Sequence, residues 1–243
     1  NVNVCQLPFW ALTVYFSWKI YDSKEIKFID CLLVGLFASL GFLSKYLFIY
    51  LLFSIDLLFI YLIINKKKKF DFKYLITIEV FLIILIPHLI WLNQNDFITI
   101  KYGMARTGLE NSGIIDYIKY PITFVLKQIG ILVIFFILCR ILVKKIKINL
   151  DYKDKKLIFL LAINILPIIL MILTSFVMGS KIRTMWMTPF YLFFGTLFVY
   201  FLQKQIKFKN LKSFMYGFVF LFLLSPSLYA YVSISDKYKR TDY

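Results

Sequence analysis

The chain has 243 residues, 61% of them hydrophobic and 17% charged, with a formal net charge of +16. The apolar residues are grouped in long blocks, which excludes an ordinary water-soluble core and makes lipid the solvent for most of the chain. The positive residues lie in short clusters between those blocks, as expected where Lys and Arg hold loops on the cytoplasmic side, and this excludes a nucleic-acid-binding surface as the reason for the charge.

A spanning helix needs roughly 20 apolar residues. In chain order, the segments that approach or meet this length are residues 5–18, 28–43, 46–64, 72–91, 122–143, 157–178, 186–202 and 211–232. The expected fold is therefore all-α: a single polytopic transmembrane bundle of about eight spans over residues 1–243. The first block carries Pro8 near its start and no positive flank before it, so the sequence reads as a fragment of a longer membrane protein. The second and seventh blocks are short enough to be tilted or partly buried.

The charges test this parse. Lys19, Lys24 and Lys27 follow the first block, and Lys66, Lys67, Lys68, Lys69 and Lys73 separate the third from the fourth. Lys144, Lys145, Lys147, Lys153, Lys155 and Lys156 separate the fifth from the sixth, and Lys204, Lys207 and Lys209 the seventh from the eighth. Every second connection is lysine-rich, which puts both ends outside, although Lys237, Lys239 and Arg240 then face outward as well. Trp10, Trp91 and Trp186 fall near outer helix ends, where an indole suits the headgroup layer.

The unusual polar chemistry falls on the side away from the lysine-rich loops. Lys45 sits in a tight reversal between two apolar blocks, where helix-end amides and an ammonium together suit a phosphate; a snorkelling anchor is the plain alternative. Pro87 is expected to end or kink the fourth helix. The single histidine, His88, excludes a multi-histidine metal site and could carry a proton, donate to a phosphate or make a structural hydrogen bond. Residues 92–121 read as an extracytoplasmic loop region, the longest non-helical connection, holding Asn93, Asp96, Lys101, Tyr102, Arg106, Glu110 and Asp116. Lys181 and Arg183 lie in a short outer connection that the positive-inside pattern does not explain, and a guanidinium suits bidentate phosphate or carboxylate recognition.

Asp56 and Glu79 are ionisable groups inside apolar blocks and are expected to face the bundle interior, with Lys127 and Asn164 as polar partners; a transporter reading rests mainly on them. Cys5, Cys31 and Cys139 show no metal-ligand spacing and read as small hydrophobes. There is no GxxxxGK[ST] and no strand followed by GxGxxG, which argues against direct ATP coupling.

Three stretches on the outward side, GLFASLGFLSKY (35–46), PHLIWLNQNDF (87–97) and RTMWMTP (183–189), resemble the membrane-embedded glycosyltransferases that use polyprenyl-phosphate sugars. That family, of the GT-C type, includes the dolichyl-phosphate-mannose protein mannosyltransferases and the bacterial aminoarabinose lipid A transferases. The resemblance implies a transferase of the bacterial cytoplasmic membrane, active on its extracytoplasmic face. It would move a sugar from an undecaprenyl-phosphate carrier to a glycan, lipid or protein acceptor, with membrane lipids as surroundings and no nucleic acid. It implies that Lys45 meets the lipid-linked phosphate and that Arg183 holds that phosphate or the acceptor. Asp96 and His88 are the implied catalytic candidates; Tyr46, Trp91, Asn93, Arg106 and Lys181 complete the substrate-binding set. The family's principal catalytic carboxylate lies in a loop before the first block seen here, and a second acidic position precedes that block where this sequence has Asn1 and Asn3. No cofactor is certain, and a divalent metal in the full-length enzyme stays open. A transporter or flippase for lipid-linked saccharide or an anion, and an inactive membrane scaffold, are the alternative readings.

Overall fold

The structure is a computed structural model that describes residues 2–108, 113–143, 146 and 150–235. Asn1, Glu110, Lys144, Lys145, Lys147, Lys237, Lys239 and Arg240 lie outside the described residues. The elements are helices: α1 (Val2–Asp22), α2 (Phe28–Ser44), α3 (Ile49–Ile64), α4 (Lys73–Gln94), α5 (Ile98–Thr107), α6 (Asp116–Leu142), α7 (Lys155–Asn164), α8 (Leu166–Met178), α9 (Phe194–Leu202) and α10 (Phe208–Ile234). Short 3-10 runs cover Tyr46–Phe48 and Thr184–Tyr191.

Each of the expected apolar segments is helical. Among the described residues, five runs are long and apolar enough to cross a membrane: Tyr46–Ile64, Lys73–Gln94, Asp116–Leu142, Lys155–Met178 and Phe208–Ile234. Thr184–Tyr191 and α9 make a sixth only as a pair bent by 53°. The expectation of about eight exceeds this count because α2 has 17 residues and α1 carries Asn3, Gln6, Thr13 and Ser17 along its buried face.

Local chemistry sets the breaks. Asp154 opens α7 by accepting from the amides of Lys156 at 2.9 Å and Leu157 at 3.4 Å. Pro167 sits in the first turn of α8, where its missing donor costs little, and Gly179, at φ 61°, ends that helix in the left-handed region. Two expectations change here. Pro87 does not end α4, which runs on to Gln94; lost amide pairing at a proline is tolerated where other groups re-satisfy the backbone. Residues 92–121 are not one non-helical connection, because α5 forms within them.

The chain divides into two compact units, residues 1–128 with 150–197, and residues 129–149 with 198–243. In the first, α2 packs between α1 and α4. The α2–α4 approach is close: a Cβ at Gly35 would lie 2.6 Å from the Thr77 carbonyl oxygen and 2.9 Å from Val80 Cβ. Lys19 at the end of α1 pairs with buried Asp30 at the start of α2 at 2.7 Å. Trp10 is 1% exposed, packed between Phe48 and Phe190 at ring separations of 5.4 and 5.1 Å. It is therefore a core residue and not the interfacial anchor expected of it. In the second unit, Phe135 stacks edge-on against Phe198 and Asn210 Nδ2 donates to the Leu142 carbonyl at 3.0 Å. No residue of α10 is buried.

Phe48 is wholly buried and lies over Gly41, where an added Cβ would come within 2.3 Å of its ring. Gly41→Val should therefore destabilise the chain by about 1–3 kcal/mol through overpacking, read as a lower unfolding midpoint in detergent. The ring it displaces lies three residues from Lys45, so the geometry of the α2–α3 reversal should suffer with it.

Candidate functional site

Three connections predicted on the outward side meet at one end of the first unit. The α2–α3 reversal brings Lys45 and Tyr46, α5 brings Thr99 and Arg106, and the run after α8 brings Trp186 and Thr188. They enclose a cleft of about 610 Å³ whose first wall is the start of α1, with Val2 and Asn3. The buried Trp10–Phe48–Phe190 stack lies behind three of these walls and fixes their spacing.

Lys45 adopts an extended backbone at φ −168° between the end of α2 and the 3-10 turn. Its amide donates to the Gly41 carbonyl, and its own carbonyl accepts from Phe48 N and from Gln6 Nε2, the latter at 2.8 Å. Its ammonium donates to Asn3 Oδ1 at 2.5 Å and stands 5.4 Å from the Trp186 ring centre. Asn3 is oriented in turn by donating from Nδ2 to the Met185 carbonyl at 2.9 Å. An amide oxygen thus occupies the place where a carboxylate would have cancelled the lysine's charge. Arg106 lines the same cleft, donating to Tyr102 OH at 2.9 Å. Among the described residues, two cations and no carboxylate line this cleft.

Burial pulls the Lys45 ammonium down to about 8, and the Arg106 guanidinium adds repulsion. The charge that would meet an anion is therefore lost as pH rises through about 8. A bound anion favours the protonated form, so binding takes up a proton above that pH. The dissociation constant of an anion at Lys45 should rise by roughly tenfold per pH unit on the alkaline side, and Lys45→Arg should flatten the profile. Asn3→Asp should move the rise to higher pH, because a carboxylate beside Lys45 favours its charged form, while weakening anion binding at neutral pH.

Tyr46 lines the cleft and its hydroxyl lies 2.7 Å from both His88 Nε2 and Thr99 Oγ1. His88 stacks on Trp91, with ring centres 5.8 Å apart and an interplanar angle of 15°. A continuous polar path thus runs from the cleft to His88, with Trp91 supporting the imidazole.

The other predicted residues are not gathered here. Asn93 and Asp96 are exposed around the end of α4, Asp96 in the left-handed region at φ 50°, and neither lines the cleft. Lys181 and Arg183 are exposed; Lys181 binds Thr107 through its backbone amide, donating to the carbonyl at 2.9 Å, and Arg183 accepts from Trp186 N. Asp56 and Glu79 do not face the bundle interior as expected. Both are exposed, because α3 turns Leu51, Ser54, Ile55, Leu58 and Leu62 inward and leaves Asp56 on its other face, and α4 buries only Leu85 and Leu92. Lys127 is exposed, and buried Asn164 donates to the Leu160 carbonyl. The contacts that sequence reasoning missed are Gln6 and Thr99; Asn3 was noted only as standing where the resembled family has an acidic residue. Gln6 follows Asn3 at i+3 at the start of an apolar helix, and that spacing was the available signal for it.

Among the described residues, no cluster of three His, Cys, Asp or Glu could hold a metal ion. The cleft's amide, hydroxyl and cationic groups do not fit a divalent cation, which takes carboxylate or several neutral oxygens.

No curated protein and no solved structure matches the chain. A family model does match its first part, the stretch that supplies Asn3, Lys45, Tyr46 and His88; Thr99, Arg106 and Trp186 lie beyond it. That family is one of glycosyltransferases of the GT-C type, and it is what this stretch is similar to. The matched stretch is residues 1–91, and the family is described as dolichyl-phosphate-mannose-protein mannosyltransferase, which supports the resemblance read from the sequence.

Proposed function

We propose that this chain forms the donor-phosphate site of a transferase that takes a sugar from a polyprenyl-phosphate carrier of the undecaprenyl type. The sugar passes to a glycan, lipid or protein acceptor on the extracytoplasmic face of a bacterial cytoplasmic membrane. The observation that carries this reading is the placement of Lys45 and Arg106 together on one cleft, where among the described residues no carboxylate lines the wall. Its place supports the reading too. Asn3 and the opposite end of α1 at Asp22 are separated by roughly 28 Å at about 1.5 Å per residue, close to the roughly 30 Å of a hydrocarbon core. A phosphate held by Lys45 is then at headgroup depth, with its chain free to enter lipid.

In the proposed reaction an acceptor hydroxyl attacks the anomeric carbon with inversion as the bond from that carbon to the phosphate oxygen breaks. The phosphate leaves with the electron pair, and Lys45 and Arg106 stabilise its growing charge. The acceptor's proton passes to Tyr46 as the Tyr46 proton passes to His88 Nε2. Asp96 stands outside this path and is assigned no proton. The sidedness rests on the lysine-rich connections at the other end of α1.

The test is transfer by purified full-length protein in liposomes from a panel of radiolabelled undecaprenyl-phosphate sugars, with acceptors supplied. Label appearing on an acceptor supports the reading. Labelled lipid that crosses the bilayer with its sugar still attached would replace it with transport.

A further inference from the structure

At the far end of α1 the lysine-rich connections predicted from charge come together. The α1–α2 connection, the α3–α4 loop and the start of α7 enclose a second cleft of about 600 Å³. Six lysines line it, Lys24, Lys67, Lys68, Lys69, Lys73 and Lys155, against three carboxylates, Asp22, Glu25 and Asp71. Two of the lysines hold the cleft's frame. Lys68 Nζ donates to the carbonyls of Ile20, Tyr21 and Ser23, capping α1. Lys73 Nζ donates to the Ile26 carbonyl at 2.9 Å and lies 3.9 Å from Asp71. Lys67 donates to Tyr61 OH at 3.0 Å. Among the described residues, no ion pair holds Lys24, Lys69 or Lys155.

We infer that this cleft binds the phosphate headgroup of an anionic phospholipid, with Lys24, Lys69 and Lys155 as its direct contacts. Three unpaired ammoniums around a half-enclosed space repel one another, and an anion between them removes that repulsion. Lys68, beside them, is held below the ordinary lysine value by burial and by Lys155, the direction expected of a crowded cationic cleft with nothing bound. The site's depth argues for a lipid as the source of the phosphate. It lies a bilayer's thickness from Lys45, and the exposed rings of Phe70 and Phe72 flank it in the same loop, where acyl chains would meet them. Lysine clusters at this position draw anionic lipids by charge.

The full-length protein, stripped of lipid in neutral detergent, is titrated with phosphatidylglycerol and with phosphatidylcholine of the same acyl chains, and bound lipid is counted by native mass spectrometry. Phosphatidylglycerol should bind at least roughly tenfold more tightly, and added salt should weaken that preference. Lys24→Gln/Lys69→Gln/Lys155→Gln should bring it to the level of phosphatidylcholine. Equal binding of the two lipids by the unaltered protein overturns the inference, as does a preference that salt leaves intact or that persists in a folded triple variant. Inorganic phosphate is added in a parallel thermal-unfolding series with phosphatidylglycerol. A rise in midpoint matching that given by the lipid overturns the lipid assignment in favour of free phosphate. The salt and two-lipid comparisons use unaltered protein, so a variant that fails to fold leaves the test standing.

Discussion

Lys45→Ala should lower sugar transfer by the full-length protein by roughly 10²–10³-fold, the loss that follows removal of one preorganised donor from a developing anion. The structure gives reasons to place the effect high in that range. Lys45 is half-buried, its ammonium is positioned by Asn3, and its backbone is pinned on both sides by Gly41, Gln6 and Phe48. Little reorganisation is then needed as charge builds on the leaving phosphate. Lys45→Arg should recover part of the rate, since the charge survives but the longer planar group must displace Asn3 or Trp186. Arg106→Gln should cost less, because Arg106 is tethered to Tyr102 on the surface of α5. The assay is initial transfer rate against donor concentration in liposomes. A loss confined to kcat identifies a role in the transition state, whereas a loss confined to KM identifies donor binding alone. Unchanged kinetics in Lys45→Ala would remove the proposed donor site.

The bundle was legible because lipid imposes a coarse rule. Apolar blocks of the right length become helices, and three of the four lysine-rich connections contribute to one cleft at one end of the first unit, through Lys24, Lys67 and Lys155. What the rule leaves open is which face of a helix turns inward. Asp56 and Glu79 were assigned inward because charge in lipid is costly, but the direction of a side chain is set by which neighbours pack, and α3 packs through Leu51, Ile55 and Leu58. Trp10 failed for the converse reason. Position near a helix end suggested the interface, while Phe48 and Phe190, distant in sequence, close over it.

The site was legible in part for the same reason. Lys45, Tyr46, His88 and Trp91 are joined by contacts that residue type and common side already suggested. Asn3 reaching Lys45 across 42 positions, and Thr99 reaching Tyr46 across 53, depend on helix rotation that no local pattern encodes. Lys181 and Arg183 do not line the cleft; the backbone amide of Lys181 ties their connection to the end of α5.

His88→Gln and Tyr46→Phe should each lower kcat by roughly 10²–10⁴-fold, the span associated with loss of a positioned acid or base, while Asp96→Asn leaves it within a few-fold. The argument turns on the hydroxyl that Tyr46 shares at 2.7 Å with His88 Nε2 and with Thr99 Oγ1. If the Tyr46 hydroxyl donates to His88, Thr99 donates to Tyr46, and the remaining lone pair of that oxygen is left to accept a proton from an acceptor hydroxyl. The imidazolium formed would lie against the face of Trp91, whose quadrupole favours a cation there. Because the two residues act as one relay, the double variant should be little slower than either single one, a non-additivity that independent structural damage would not produce. Full activity in His88→Gln with loss in Asp96→Asn would transfer the base to the turn after α4 and leave Tyr46 as a binding residue alone.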